Sequence, residues 1–379
     1  MATANGELSA EVLRGPEGLD ALREPWGGLF AELAVRRYFH SWDWCHCWLH
    51  ALAEQPAEVC FIAVRRGAQL VAVVPLQPRL RPGPLGAARV LELPAHGHLP
   101  LADIACHPDV DPRSLVGAVT AALARTSIAW DLLEFENVLD ESVLARIDRR
   151  TWPRVRRDLV KTCDHIACDR PWEDYAATLS TNFRSNLHKA RNKLAREPAV
   201  EFEIAHEPGA IQAMLPDILQ IEASGWKGTA GTAILNDPRL MDFYSRQIAA
   251  FASRGGVMLS RLRVDGHTIS GEYCMVDSQT LYVIKLAYDE NAARLAPGNA
   301  LLERMFRSIH GQYGLRYINL VGSPPWFAQW NPVRVPVWRV QICGPGLRAR
   351  VHWAARQLRG WAGRGLRRVR ALASRSARP

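Results

Sequence analysis

TLYVIKLAYDENAARLAPGNALLERMF, residues Thr280–Phe306, predicts a strand, a short loop and a helix in direct succession. The first nine residues are β-branched, aromatic or apolar with one Lys, and the helix begins at Ala-Pro-Gly. Pro297 costs nothing at a helix start, where its missing N–H has no partner, and Gly298 allows close approach to the backbone. Helix N-termini present unpaired amides and partial positive charge, so an anion is a candidate ligand here. The alternative is that Pro-Gly only marks the helix start.

Length and composition indicate a soluble protein of two domains with an appendage. The chain has 379 residues, of which 48% are hydrophobic and 22% charged. No apolar run approaches the roughly 18 residues of a membrane-spanning helix. The first residues, MATANGELSAEVL, lack the basic and apolar regions of a signal peptide, so we expect a cytoplasmic location.

The eight cysteines show no paired CxxC spacing, and we expect reduced, mostly buried thiols. In Phe39–Glu54, Trp44, Trp48 and Leu52 recur at four-residue spacing, which predicts a helix. A group of potential metal ligands falls on this predicted helix. It consists of His40, Cys45, His46, Cys47 and His50. On a helix Cys45 and Cys47 point to different sides, and no second cluster is spaced to complete a tetrahedral site. No metal site is therefore predicted.

The net charge of +9 comes from the C-terminal tail, residues 346–379. Ten Arg and no acid lie between Leu347 and Pro379, whereas the rest of the chain has 37 basic and 38 acidic residues. Apolar residues recur at helical spacing among these arginines. A basic amphipathic helix of this kind is typical of proteins that dock on an anionic membrane, here through Arg348–Arg378 on the inner face. Packing on the body and, less favoured, RNA binding are the alternatives.

The same order of elements occurs twice along the chain. In each half a hairpin precedes a helix of about 13 residues, which leads into a buried strand. Aligning the strands Trp130–Phe135 and Tyr317–Val321 gives an offset of about 185 residues. We therefore predict an α/β (α+β) protein with an N-terminal domain at 1–160, a C-terminal domain at 161–345 and the basic tail.

Four further segments, together with the patterns above, resemble those of a known protein family. LRYINLVGSPPWFAQW follows the helix of the opening stretch, and the others are STNFRSNLHKARNKL (Ser180–Leu194), EASGWKGTAGTAI (Glu222–Ile234) and FHSWDWCHCWLHAL. Their order resembles the acyltransferases of the GNAT superfamily, over roughly residues 35–340. The nearest likeness is to the BioF2-like or cellulose-biosynthesis CelD-like group, relatives of the FemAB peptidyltransferases. The resemblance implies two tandem GNAT-like mixed-sheet domains.

The resemblance also implies transfer of an acyl group from acetyl-CoA or another acyl-CoA to an amine or hydroxyl. The acceptor would be a small molecule or glycan, such as a cell-envelope or polysaccharide precursor. The coenzyme A pyrophosphate would rest on Arg294–Ala300, and the pantetheine would run antiparallel to Leu281–Tyr288. The implied cofactor-binding residues are Leu286, Ala287, Arg294, Leu295, Ala296, Pro297, Gly298, Asn299 and Ala300. The loop keeps one Gly where the superfamily has more. The matching segment Pro108–Ser114 has none, so we expect a degenerate first copy.

Acyl transfer needs a base for the acceptor and a proton source for the departing thiolate. Glu272 and Asp289 are candidate bases, and burial of Glu272 beside Tyr273 and Cys274 would raise its pKa. Each has a plain structural alternative, an outward-facing strand residue or a turn-forming carboxylate. Lys285 lies mid-strand and either reaches a substrate or snorkels at a sheet edge. The candidate acids are Tyr282 and Tyr288, and the alternative for each is a packed core residue.

Two segments are candidates for contacts with the acceptor. The helix predicted over Tyr175–Arg196 has a buried apolar stripe from Phe183 to Leu194, and Arg184 and His188 lie on its polar faces, as a solvated surface or as a wall for an anion. Trp226 and Lys227 lie in a loop suited to stacking on a sugar or capping the cofactor, or to simple packing. His96-Gly97-His98 would line a cleft between the halves or lie exposed.

Two other functions stay open. An aminoacyl-tRNA-dependent peptidyltransferase like the FemAB relatives would engage tRNA, although nucleic-acid binding is not favoured. A non-catalytic scaffold at a membrane assembly site would have neither activity. The sequence does not distinguish N- from O-acylation and does not give the oligomeric state.

Overall fold

The computed structural model describes residues 7–225, 231, 233–311 and 314–358, and Trp226 and Lys227 lie outside this range. The described helices are α1 (Gly15–Asp20), α2 (Arg23–Glu32), α3 (Trp42–Ala51), α4 (Pro112–Ala124), α5 (Trp172–Ala177), α6 (Thr181–Leu194), α7 (Pro208–Ser224), α8 (Pro238–Phe251), α9 (Pro297–Ile309) and α10 (347–358). The strands are β1 (Leu8–Arg14), β2 (Cys60–Arg66), β3 (Gln69–Arg81), β4 (Ala88–Glu92), β5 (Ala105–Cys106), β6 (Leu132–Leu139), β7 (Val155–Ala167), β8 (Val200–Ala205), β9 (Val257–Val264), β10 (His267–Val276), β11 (Thr280–Tyr288), β12 (Tyr317–Asn319) and β13 (Val333–Cys343).

All these strands join one mixed sheet in the order β1-β2-β3-β4-β6-β13-β7-β12-β11-β10-β9-β8, with β5 beside β3. The two ends of the sheet repeat one pattern: three antiparallel pairings, then one parallel pairing, β4 with β6 and β11 with β12. β6 begins at Leu132 and β12 at Tyr317, so the predicted offset of about 185 residues is confirmed. The predicted mixed-sheet fold with a repeated unit is therefore confirmed.

The halves exchange strands at the centre of the sheet. β7 follows the first half but pairs antiparallel with β12, whereas β13 follows the second half and pairs with β6. β7 and β13 also pair with each other over most of their length. The sheet is therefore continuous across both halves, and residue 160, the predicted end of the first domain, lies inside β7.

Hydrophobic spacing predicted most of the core elements correctly. Trp44, Trp48 and Leu52 are buried, as their four-residue spacing predicted. All eight cysteines are free thiols, and all except the half-buried Cys106 are buried. The helix predicted over Tyr175–Arg196 was wrong in extent. It divides into α5 and α6, because Ser180 adopts an extended backbone and its side chain caps the second helix through the amide of Phe183.

The tail begins as part of the folded body. Residues 347–358 are helical, and Ala349 and His352 are buried. Arg348 Nε lies 3.4 Å from Asp131, and Arg356 Nη1 lies 2.9 Å from Glu134. These two arginines therefore neutralise carboxylates of the first half. None of the described helices combines the length and apolar character needed to cross a bilayer.

Candidate active site

A bulge in β11 shapes the centre of the C-terminal half. Tyr273 on β10 pairs with Lys285 on β11, whereas the next residue, Cys274, pairs with Val283. Ile284 is therefore an extra residue without a Cα partner on β10. Val283 packs in the core beneath α9, whereas Lys285 reaches Glu222 on α7. The extra residue therefore turns Lys285 to the opposite face of the sheet from Val283.

On its other side β11 separates from β12. The two strands pair only over Thr280–Tyr282 with Tyr317–Asn319, and among the described residues no further strand pairing is recorded there. The last six residues of β11 therefore border an opening in the sheet. Exposed backbone groups at such an opening are available to an extended ligand.

The N-terminus of α9 lies at the end of this opening. Its N-cap, Ala296, has a left-handed backbone (φ 51°, ψ 52°), which is unusual for a residue other than Gly. No side chain caps this helix. The amide of Ala300 bonds to the carbonyl of Ala296, whereas no protein acceptor is recorded in the described chain for the amides of Gly298 and Asn299. Two backbone donors are thus available at a point of partial positive charge.

A cavity of about 470 Å³ lies beside these two amides. Its lining comes from the end of α7, the end of β11, the following loop and the start of α9. The residues that line it are Ile221, Glu222, Gly225, Leu286, Ala287, Tyr288, Glu290, Ala293, Ala296, Pro297, Gly298, Asn299 and Trp326. Tyr288 and Trp326 are 44% and 47% exposed and contribute aromatic surface to it.

The structure brings most of the predicted cofactor-binding residues to this cavity. Leu286, Ala287 and the run Ala296–Asn299 line it. Leu295 and Ala300 are buried in the small core beneath α9. Arg294 is exposed, and its Nη1 lies 2.6 Å from the carboxylate of Glu197.

Glu272 is fully buried and does not line the cavity. Its Oε2 accepts a hydrogen bond of 2.6 Å from Ser260 Oγ, whereas its Oε1 has no recorded partner. Burial raises the pKa of Glu272 to about 7, and the Ser260 bond opposes this effect. The raised pKa agrees with the sequence-based expectation, but the carboxylate lies away from the cavity.

The remaining predicted catalytic residues have different surroundings. Asp289 caps the short helical turn after β11 by accepting the amide of Asn291 at 2.9 Å. Tyr288 lines the cavity. Lys285 lies 3.5 Å from Glu222 Oε1 and is largely buried, so it is not an edge residue reaching into solvent.

Glu222 was not among the predicted site residues. Its side chain is 1% exposed but borders the cavity, and its Oε2 accepts the amide of Ile234 at 2.8 Å. In the sequence Glu222 continues an amphipathic helix, and its pairing with Lys285 depends on the bulge at Ile284. Sequence spacing carried no signal for that pairing.

The predicted acceptor-contacting residues are only partly described. Arg184 is exposed on α6. His188, on the same helix, contacts Arg191 and Asn192 through its two ring nitrogens. Trp226 and Lys227 belong to the segment that the structure does not describe.

The loop His96–His98 belongs to the first half but lies close to the second. His98 Nδ1 is 3.2 Å from the hydroxyl of Tyr244 on α8. Burial lowers the pKa of His96, and the nearby cations Arg239 and Lys285 contribute to the same effect. The favoured prediction was an exposed polar loop, whereas His98 contacts the second half of the chain.

The His side chains of the potential metal-ligand group make contacts within the protein. His40 lies 3.4 Å from Asp103, and the rings of His46 and His50 pack on each other beside Trp42. Within the described ranges, no group of three or more His, Cys, Asp or Glu side chains is placed to hold a metal ion.

Tyr282 belongs to a buried polar group that joins the halves. Its hydroxyl accepts from Arg37 Nη1 at 2.5 Å and donates to Asp277 Oδ2 at 2.8 Å. Arg37 also pairs with Glu141. Burial raises the pKa of Tyr282. Its two hydrogen bonds hold the hydroxyl in a structural network away from the cavity.

Comparisons with known proteins agree with this architecture. Residues 181–327 match the family model described as an acetyltransferase (GNAT) domain. A comparison with curated proteins finds no match to this sequence.

Several solved structures share the fold at low sequence identity. FemX has a TM-score of 0.55 at 9% identity, covering 84% of this chain and 95% of FemX. L-PGS from Bacillus licheniformis has a TM-score of 0.52 at 13% identity, covering 93% and 98%. The C-terminal domain of a protein described as a lysylphosphatidylglycerol synthetase from Agrobacterium fabrum has a TM-score of 0.52 at 11% identity, covering 90% and 97%. The chain therefore has a GNAT-type transferase fold, and the BioF2-like assignment stays a prediction.

Proposed function

We propose that this chain transfers an acyl group from acyl-CoA to an amine or hydroxyl of a cell-envelope or polysaccharide precursor. The observation that carries the proposal is the pair of backbone amides at Gly298 and Asn299, which have no recorded protein acceptor and border a cavity of about 470 Å³. This cavity lies within the segment that matches the GNAT domain.

The described residues fit the donor. The amides of Gly298 and Asn299 would hold the diphosphate, as helix N-termini do. At Gly298 an added Cβ would have only the Tyr288 ring within 4 Å, at 3.6 Å, so the backbone there is open to a ligand. The unpaired length of β11 would hold the amide-rich pantetheine arm. When bound, acyl-CoA supplies an activated thioester carbonyl.

The acceptor would approach from the side of the sheet opposite α9. Lys285, Glu222 and the loop His96–His98 border that side and come from both halves of the chain. This arrangement supports direct transfer in a cleft between the halves. A cytoplasmic location, with the tail on the inner face of the membrane, belongs to the same proposal.

Ligand-dependent stability tests the donor. At about 100 times its dissociation constant, a bound acyl-CoA adds roughly 2.7 kcal/mol to the free energy of unfolding. The melting temperature would be measured with acetyl-, succinyl- and long-chain acyl-CoA, with adenosine diphosphate as a diphosphate control. We expect a larger shift with one acyl-CoA than with the control, and equal shifts throughout would contradict the proposal.

The similarity of fold to FemX and L-PGS supports a second candidate, an aminoacyl-tRNA-dependent transferase. The polar faces of α6 carry cations such as Arg184, which could contact a nucleic-acid backbone. A salt-dependent melting shift with aminoacyl-tRNA and none with acyl-CoA would favour this candidate. The absence of both shifts would favour a non-catalytic scaffold.

A further inference from the structure

Glu222 lines the cavity and forms an ion pair with Lys285, which directly precedes the lining residue Leu286 on β11. Lys285 Nζ lies 3.5 Å from Glu222 Oε1, and both side chains are largely withdrawn from solvent. The other carboxylate oxygen of Glu222 is held by the amide of Ile234 at 2.8 Å. The carboxylate therefore has a fixed orientation at the wall of the cavity.

Two features of the sequence fix this pair. The extra residue Ile284 turns Lys285 towards α7. Gly271 on β10 allows α7 to pack closely, because an added Cβ there would lie 2.5 Å from Ile218 Cδ1. The end of α7, and with it Glu222, is thereby held against the strand that borders the cavity.

A second ion pair on α7, between Asp217 and Arg261, is a structural contact for comparison. Asp217 Oδ2 lies 2.6 Å from Arg261 Nη1 on β9, a closer contact than that of Glu222 with Lys285. Asp217 does not line the cavity, and its partner is an arginine, which does not release a proton near neutral pH. The cavity-side pair instead joins a carboxylate to a lysine, two groups that can exchange a proton.

We propose that Glu222 is the catalytic base and Lys285 the catalytic acid for acyl transfer to an amine, a step that rests on the proposed function. The amine nitrogen attacks the thioester carbonyl, the N–C bond forms, and Glu222 takes a proton from that nitrogen. The C–S bond breaks, and the thiolate takes a proton from Lys285. The proton on Glu222 then passes to neutral Lys285 across the ion pair, which restores both groups and releases an amide and a free thiol.

Polar side chains from both halves of the chain lie near Glu222. Glu222 contributes to raising the pKa of Tyr244 on α8, after burial and Tyr273, so this phenol stays protonated nearby. Tyr244 in turn contacts His98 of the first half. Tyr244 and His98 line a separate small cavity, and Glu222 is the member of this polar group that lines the cavity beside α9, where its carboxylate can accept a hydrogen bond from an amine.

The test uses the full chain, acetyl-CoA and hydroxylamine, a small amine that needs no dedicated binding pocket. Release of coenzyme A thiol would be followed for wild type, Glu222→Gln, Lys285→Arg and Asp217→Asn. Glu222→Gln retains an oxygen for the amide of Ile234, and Lys285→Arg retains the positive charge, so both variants should fold. We expect each to lower thiol release by about 100-fold or more while the acetyl-CoA melting shift persists. Asp217→Asn should release thiol at the wild-type rate.

A rescue experiment separates chemistry from structure. Formate added to Glu222→Ala should restore part of the lost rate, because a free carboxylate can replace the missing base. The inference is overturned if Glu222→Gln releases thiol at the wild-type rate, if Asp217→Asn is equally slow, or if formate has no effect. In those cases an intact acetyl-CoA melting shift would leave the proposed function standing. The absence of a melting shift with each of the acyl-CoA donors in wild type would overturn both.

Discussion

The carboxylate of Asp111 accepts the backbone amide of Ser114 at 3.0 Å, and so occupies the N-terminus of α4 in the first half. The amide of Arg113 bonds to the same oxygen, also at 3.0 Å. The side-chain hydrogen bond of Ser114 and these backbone bonds lower the pKa of Asp111, so the cap stays ionised at neutral pH. The Asp111 carboxylate is therefore the anion at the N-terminus of α4.

The second half differs at the equivalent position. The offset of about 185 residues that aligns β6 with β12 also aligns Pro112 with Pro297 and Asp111 with Ala296. Ala296 has no side-chain oxygen, so it cannot accept a hydrogen bond from the amides of Gly298 and Asn299. This difference gives a physical reason for the predicted degeneracy of the first copy, beyond its lack of Gly.

Exchanging the two caps tests this relationship. Ala296→Asp places a carboxylate beside the free amides, where it would compete with a diphosphate. An acid near a helix N-terminus contributes about 0.3–1 kcal/mol, and Asp tolerates the left-handed backbone better than Ala. We expect unchanged or higher stability but loss of the acyl-CoA melting shift, measured by thermal unfolding.

The reciprocal variant is the matched control. Asp111→Ala removes the cap of α4 and should lower the free energy of unfolding by about 1 kcal/mol. Its acyl-CoA shift should equal that of wild type. A full shift in Ala296→Asp would contradict the assignment of the diphosphate to α9.

Glu272 makes stability depend on pH. Burial raises its pKa in the folded chain from 4.5 to about 7, so between these values the unfolded chain has lost a proton that the folded chain retains. The free energy of unfolding therefore falls as pH rises through this window, by about 3 kcal/mol in all. Urea unfolding between pH 5 and 8 should show this fall in wild type and a flatter profile in Glu272→Gln.

Ser260→Ala provides the control for this profile. This substitution removes the Ser260 hydrogen bond that favours the ionised carboxylate of Glu272, so the fall in the free energy of unfolding should extend to higher pH. A Glu272→Gln profile that parallels wild type would show that Glu272 does not dominate the dependence.

The network of Arg37, Tyr282 and Asp277 should stabilise the contact between the halves. Arg37→Leu leaves buried oxygens without their cation, and we expect the free energy of unfolding to fall by about 3–5 kcal/mol. Tyr282→Phe removes one hydroxyl and should cost about 1–3 kcal/mol. Urea unfolding of both single variants and the double variant measures the coupling between them. Additive effects would show that the two side chains act independently.

Two truncations separate the structural and proposed membrane roles of the tail. A chain ending after Leu358 retains the pairs Arg348–Asp131 and Arg356–Glu134 and should unfold with nearly the wild-type free energy. A chain ending after Gly346 lacks both arginines, while Arg89 still pairs with Asp131 and Gln341 still bonds to Glu134, and it should lose about 1–3 kcal/mol. Pelleting with anionic liposomes at low salt should be lost in both truncated chains. If the chain that ends after Leu358 pellets as well as the full-length chain, the last 21 residues are excluded as the membrane contact.

Local patterns predicted the hairpins of both halves, the buried Trp stripe of α3 and the turn into α9, because each depends on neighbouring residues. Spacing also predicted the repeat. It did not predict that β7 and β13 would each pair within the other half's part of the sheet, because strand partners are chosen by packing between distant segments. The break between α5 and α6 was missed because Ser180 can cap a helix or continue one, and local sequence did not decide between them.

What the sequence alone determined is the Ala-Pro-Gly entry to α9, since a proline and a glycine at those positions restrict the backbone whatever surrounds them. Only the tertiary structure decided that Glu222 meets Lys285. That meeting requires a bulge at Ile284, the close packing of α7 over Gly271 and the hydrogen bond from Ile234. Each of these contacts joins residues far apart in sequence, so no periodicity along the chain records them.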